Sequence, residues 1–159
     1  MSNIEQNTLA AQQSIILQIA DWLEVGEQIR IHRGYEYIKQ TFAQCQVDEA
    51  GKVCYGFCAI GVANLGRYGG VPTGVWAEED EELLEGYFGA IALVKGLQAS
   101  YGLCVVHPVK GDYHTLTETM ASLDDFHDWT VPEIIDWLRA LRYREERGCW
   151  QAPREEGEE

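Results

Sequence analysis

The chain has 159 residues, enough for one domain with a substantial core, and its 46% hydrophobic against 24% charged residues excludes wholesale disorder. It carries 26 acids against 12 bases, a net charge of −14, so the basic footprint of a protein that grips nucleic-acid phosphates is absent. The acidity is uneven: residues 1–77 hold 7 acids and 5 bases, residues 78–159 hold 19 acids and 7 bases.

The first element predicted is a helix. Ser2 and Glu5 have the spacing of a capping box, and Ile15, Ile16, Ile19, Trp22 and Leu23 form one apolar stripe at helical period, with Gly26 as the expected stop. TFAQCQV and KVCY flank a DEAGK turn and predict a short hairpin. GFCAIGVANLG is dominated by small residues around Ile60, Val62 and Leu65. It predicts a buried helix over 57–65 in which Gly61 is tolerated because another backbone packs closely there.

Six of the eight residues in EEDEELLE are acidic. Acids are favoured in the first turn of a helix, and Leu83, Leu84, Tyr87, Phe88, Ile91, Val94 and Leu97 continue the rhythm, so a helix is expected over 78–98. LCVVHPV reads as a strand ended by Pro108, and TLTETMASLDDF as a helix with Leu116, Met120 and Leu123 in phase. The plainest local signal is WTVPEIIDWLRALRYREERG. Thr130 and Glu133 make a capping box, Pro132 sits in the first turn, and Trp129 and Ile134 form a staple. Ile134, Ile135, Leu138 and Leu141 make the buried stripe, Arg139, Arg142, Arg144 and Arg147 suit the helix end, and Gly148 is the expected stop. The remainder, CWQAPREEGEE, reads as a frayed acidic tail.

MSNIEQNTLAAQQ lacks the base and apolar run of a signal peptide, and no apolar stretch reaches the roughly 20 residues that span a bilayer. The cysteines are Cys45, Cys54, Cys58, Cys104 and Cys149. Their odd number in a chain with an ample core predicts reduced thiols and a cytoplasmic location.

Three constellations could carry chemistry. Cys58 stands near the start of a predicted helix, where the dipole lowers a thiol pKa, but no local residue orients a histidine toward it; a small core residue is the plainer reading. Cys54, Cys58, Cys104 and His107 could supply four zinc ligands, yet Cys104 and His107 on one strand point to opposite faces. Asp124, Asp125, His127 and Asp128 could bind a cation or exchange protons, or form a polar loop before the last helix. No phosphate-cradling glycine loop or nucleophile elbow occurs, and no metal or cofactor is expected.

Cys58-Ala59-Ile60-Gly61, and Asp124-Asp125 followed by Thr130-x-x-Glu133-Ile134-Ile135-x-x-Leu138, resemble an uncharacterised family of phage and bacterial, especially actinobacterial, genomes. The resemblance would span about residues 10–142 and implies a compact α+β fold and a phage origin. It carries no established activity, so no catalytic residue transfers. The acidic 78–85 run and the acidic tail depart from the family pattern.

The expectation is an α+β, mostly helical single domain over residues 1–148 with a small hairpin or sheet, then an acidic tail over 149–159. The functional expectation is a non-enzymatic acidic interaction protein, a phage-encoded inhibitor of a basic, nucleic-acid-binding host protein. Nucleic acid itself and membranes are not expected partners. The expected partner surface comprises Glu78, Glu79, Asp80, Glu81, Glu82, Asp124, Asp125 and Asp128. The alternative is a small hydrolase or transferase using Cys58 with a histidine.

Overall fold

A computed structural model describes residues 3–71, 87–89, 93 and 103–153. Its first helix, α1 (Asn3–Arg33), buries Ile16, Ile19, Ala20 and Leu23, the stripe expected from the sequence. The helix does not stop at Gly26. Glu27 and Arg30 pair one turn apart, and the Arg30 guanidinium donates to the Tyr35 carbonyl oxygen at 2.9 Å, so the ladder continues until Gly34 turns left-handed at φ 71°. The expected capping box begins at Ser2, which lies outside the described residues.

Gly26 has a different task. A Cβ there would overlap the Val62 carbonyl oxygen of the second helix, α2 (Ala59–Tyr68), and a Cβ on Gly66 would overlap the Trp22 carbonyl oxygen. Two helices meet backbone to backbone, and a glycine from each makes the approach possible. Gly61 plays the same part on another side of α2, where a Cβ would overlap the Phe42 carbonyl oxygen. The close approach expected at Gly61 is thus present. From Ala59 to Leu65 every residue of α2 is buried.

Between these helices in the chain come the strands of a three-stranded sheet, β1 (Glu36–Tyr37), β2 (Ala43–Val47) and β3 (Val53–Phe57), in the order β1-β3-β2. β2 and β3 form the expected hairpin, with Asp48 Oδ1 accepting from the Ala50 and Lys52 amides to set the turn. β1 runs parallel to β3. A second sheet has the order β5-β4-β7-β6: β4 (Cys104–Val106), β5 (Tyr113–Thr115), β6 (Arg142–Arg144) and β7 (Cys149–Gln151). The expected strand in LCVVHPV is β4. The third described helix, α3 (Leu116–His127), is capped by Thr115 and buries Leu116, Met120 and Leu123 as its phase required. The fourth, α4 (Val131–Ala140), has the complete Thr130–Glu133 capping box. The result is the expected α+β architecture, with helices predominating and two small mixed sheets.

Two expectations near the C-terminus are corrected. α4 ends at Ala140, and Leu141 is already extended. Arg142 and Arg144 lie on β6, Gly148 is a left-handed turn residue at φ 62°, and β6 and β7 form a hairpin. Tyr143 stacks edge-on against Trp150 with ring centres 5.7 Å apart, a cross-strand pair that competes well with another helical turn. The segment expected as a frayed tail from residue 149 therefore begins with β7, an inner strand of the sheet, whose three residues are all buried. Trp150 also donates from Nε1 to Gln12 Oε1 on α1 at 2.8 Å.

The second correction concerns the thiols. Cys104 and Cys149 stand side by side on the parallel strands β4 and β7, their Cα atoms 5.1 Å apart, and form a disulfide. Not all five cysteines are reduced; Cys45, Cys54 and Cys58 remain thiols. Disulfides persist chiefly in oxidising compartments. Among the described residues no helix is long and apolar enough to cross a membrane.

The helix crossing makes a quantitative expectation. Gly26→Ala and Gly66→Ala each push a methyl into backbone that cannot rotate away, and should each cost at least about 3 kcal/mol, the upper end of ordinary overpacking. Gly69→Ala, at a left-handed position with open space around it, should cost only about 1–2 kcal/mol. Urea unfolding of the three variants checks the order; equal losses would mean the helices are not in backbone contact.

Candidate functional site

Cys58 is the N-cap residue of α2, as its position suggested, but its side chain makes no cap bond. The open amide of Ala59 instead donates to Asp124 Oδ2 at 3.1 Å, from a carboxylate 65 residues away on α3. Tyr37 lies against the same carboxyl and donates its hydroxyl to the Trp129 carbonyl oxygen at 3.0 Å. Burial pushes the Cys58 thiol up to about 12, with the Asp124 charge adding to the effect. A thiol held neutral is a poor nucleophile, so the weak catalytic candidate becomes a core residue.

Asp124 is likewise corrected from a partner-binding acid to a fully buried tie. Burial raises its pKa to about 6, opposed by the Ala59 hydrogen bond and reinforced by neighbouring Asp125. Asp125 Oδ1 accepts from the Gln40 amide at 2.8 Å, and exposed Asp128, left-handed at the end of α3, pairs with Lys39. The three acids expected on one surface therefore divide into one buried cap and two anchors for residues 39–40. Glu78, Glu79, Asp80, Glu81 and Glu82, and most of the helix expected over 78–98, lie outside the described residues. The four-ligand zinc combination is not assembled, because Cys104 is spent in the disulfide.

A different cluster comes together instead. His107 follows β4, His114 lies on β5 and His127 ends α3; the His107 ring stands edge-on to His127 at 5.2 Å and to His114 at 6.1 Å. His107 is 1% exposed. Its Nδ1 accepts from the Val109 and Lys110 amides, each at 3.1 Å, which leaves the proton on Nε2 to be donated to Ser122 Oγ at 3.0 Å. Both nitrogens are committed, so this histidine shapes the turn rather than offering a free ligand atom.

That turn forms one wall of an open groove of about 830 Å³. Pro108 and Lys110 come from the turn, Trp129, Glu133, Asp136 and Trp137 from the α4 segment, and Gln151 to Pro153 from the chain leaving β7. Trp137 is 5% exposed, and its indole N–H is buried with no acceptor among the described residues. Unsatisfied buried donors are rare enough to call for an explanation. A smaller cleft of about 170 Å³ lies across Asp136, lined also by Glu24, Glu27 and Arg139. Asp136 thus stands on a ridge between two partly acidic hollows.

Comparison with protein-family models, curated proteins and solved structures gave no match. The groove leaves little trace in the sequence because its walls come from three separated segments. The one available signal was Trp137, a large aromatic beside the aliphatic stripe of α4.

Two pH effects of opposite sign follow. Asp124 binds its proton more tightly folded than unfolded, so its contribution is fully present below 3.8 and is lost as pH rises through about 6. Asp124→Asn, which keeps an acceptor for Ala59, should remove that dependence at little cost at pH 7, whereas Asp124→Ala leaves the amide unpaired and should cost about 1–3 kcal/mol. Equal losses for the two would refute the capping role.

His107 works the other way. Burial and the nearby His127 lower its pKa below 6.5. Its stabilising contribution is present above pH 6.5 and is lost as pH falls through its lowered value. Protonation must occur at Nδ1 and sets a third N–H against two backbone N–H groups, so amide exchange at Val109 and Lys110 should accelerate in acid. His107→Asn should remove that pH dependence; if exchange there is pH-independent in the wild type after correction for intrinsic rates, the turn does not depend on this ring.

Proposed function

We propose that the chain is a non-enzymatic, acidic binding protein that engages a basic surface of another protein, as an inhibitor occupying a surface made for nucleic-acid phosphates. One observation carries this reading: residues 78–159 hold 19 acids against 7 bases. A field of that sign repels nucleic acid and steers cationic surfaces into encounter. The groove adds the carboxylates of Glu133 and Asp136 to the acidic surface, with Lys110 also on its lining. The resemblance to phage and bacterial sequences contributes the host-directed part of the proposal. The cysteine-hydrolase alternative draws no support from a buried, neutral Cys58. A cytoplasmic site of action, read from composition, requires the Cys104–Cys149 disulfide to survive a reducing compartment.

The test is competition. The protein should displace duplex DNA from a basic DNA-binding protein, and the effect should fade as salt rises toward about 1 M, where screening shortens to about 3 Å. Reversing Glu79, Asp80 and Glu82 to Lys should slow association at low salt by about tenfold or more, within the range over which steering changes on-rates. Unchanged association with an unchanged salt slope would mean that the acidic run serves solubility.

A further inference from the structure

We infer that the Cys104–Cys149 disulfide is a reversible redox latch: it fastens the C-terminal β6–β7 hairpin to β4, and its reduction by a dithiol lets that hairpin open while the α1–α2 core stays folded. The inference goes beyond the acidic-binder reading and does not depend on it. It starts from the seams of the second sheet. β4 faces β5 in register at Cys104–Thr115, Val105–His114 and Val106–Tyr113, and β6 faces β7 at Arg142–Gln151, Tyr143–Trp150 and Arg144–Cys149. Between β4 and β7, among the described residues, the register is Val105–Trp150 alone. The ladder is therefore shortest where the covalent bond stands, and the bond lies one residue before that pair on both strands.

The hairpin has a fixed root. Leu141, buried at the end of α4, is the last core residue before β6. Beyond the disulfide and the short ladder, Trp150 holds β7 through its buried ring and its bond to Gln12 Oε1. With the bond in place the hairpin cannot leave β4, because Cys149 stays tied. With the bond cut, a link between residues 45 apart in the chain is gone, and the opened state regains the freedom that the link denied it.

The exchange has a direction. Cys149 is wholly buried and Cys104 half-buried, so an incoming thiolate meets the Cys104 sulfur. It bonds to Cys104 Sγ, the S–S bond breaks, and Cys149 leaves with the electron pair and takes a proton. The second thiolate of the reductant then attacks the mixed disulfide and releases Cys104, which takes the other proton. The dithiol is oxidised to a disulfide as the protein's disulfide becomes two thiols. The strand so unfastened leads into Gln151, Ala152 and Pro153, one wall of the groove, and the state of the cysteine pair decides whether that wall is held.

The experiment is amide hydrogen exchange by mass spectrometry on the full chain, with and without dithiothreitol. In the peptide covering 142–153, reduction should accelerate exchange at least about tenfold, within the roughly 30- to 1,000-fold that a native disulfide is worth. The peptide covering α2 should keep its protection, and glutathione disulfide should restore the slow exchange of 142–153. Reduction itself should proceed at a rate insensitive to urea below the unfolding transition. The double variant Cys104→Ala/Cys149→Ala should exchange like the reduced protein and ignore dithiothreitol; if it folds poorly, the wild type under dithiothreitol still decides. Acceleration below tenfold in 142–153 overturns the latch. So does equal loss of protection in α2, a reduction rate that climbs with urea, or failure of glutathione disulfide to restore protection, since each makes the bond a structural staple.

Discussion

The crossing of α1 and α2 at Gly26 and Gly66 is the constraint on which the rest of the fold hangs. Backbone-to-backbone contact brings α2 deep enough for every residue from Ala59 to Leu65 to be buried, and places the sheet of β1, β2 and β3 beside it through the equally close approach of Gly61 to Phe42. Glycine costs about 1 kcal/mol in a helix interior relative to alanine. Burying Ile60, Val62 and Leu65 completely returns roughly 1.5–3 kcal/mol for each side chain, which decides the balance. A helix rich in small residues is thus stable because its neighbour is close, and its neighbour is close because the residues are small.

Three buried polar side chains make hydrogen bonds that organise the packed interior. Asp124 closes the N-terminus of α2 from another helix, Asn64 reaches from α2 to the carbonyl oxygens of Ile60 and Gly89, and His107 holds two amides of its own turn. Asp124 and Asn64 each tie together parts of the chain that share no secondary structure. Asp124 and His107 respond to pH in opposite directions because burial disfavours the charged form of both, an anion in one and a cation in the other.

The C-terminal strand links the fold to its groove. β7 is held by β4 and β6, by the disulfide, by the Tyr143–Trp150 pair and by the bond from Trp150 to Gln12. The chain leaving it supplies Pro153 to one wall of the hollow, while His107 fixes the opposing turn and α4 sets the third side. The walls rest on elements whose positions the core and the disulfide determine, so the groove is part of the folded core's own geometry.

Local chemistry was legible in the sequence by itself. The stripe of Ile16, Ile19 and Leu23, the Thr130–Glu133 box, the turn after Asp48, and the phase of Leu116, Met120 and Leu123 each depend on residues within a few positions of one another. Periodicity and capping record such relations directly. Tertiary structure decided what local signals leave ambiguous. Gly26 reads equally as a stop or as a helix contact, and only the presence of Val62 opposite selects the contact. Arg142 and Arg144 suit a helix end or a strand, and the partner Trp150 selects the strand. Asp124 looked like surface charge until α2 supplied an unpaired amide for it. The groove was out of reach for the same reason: its turn, helix and strand walls are distant in sequence, and their meeting is a property of the packed core rather than of any one segment.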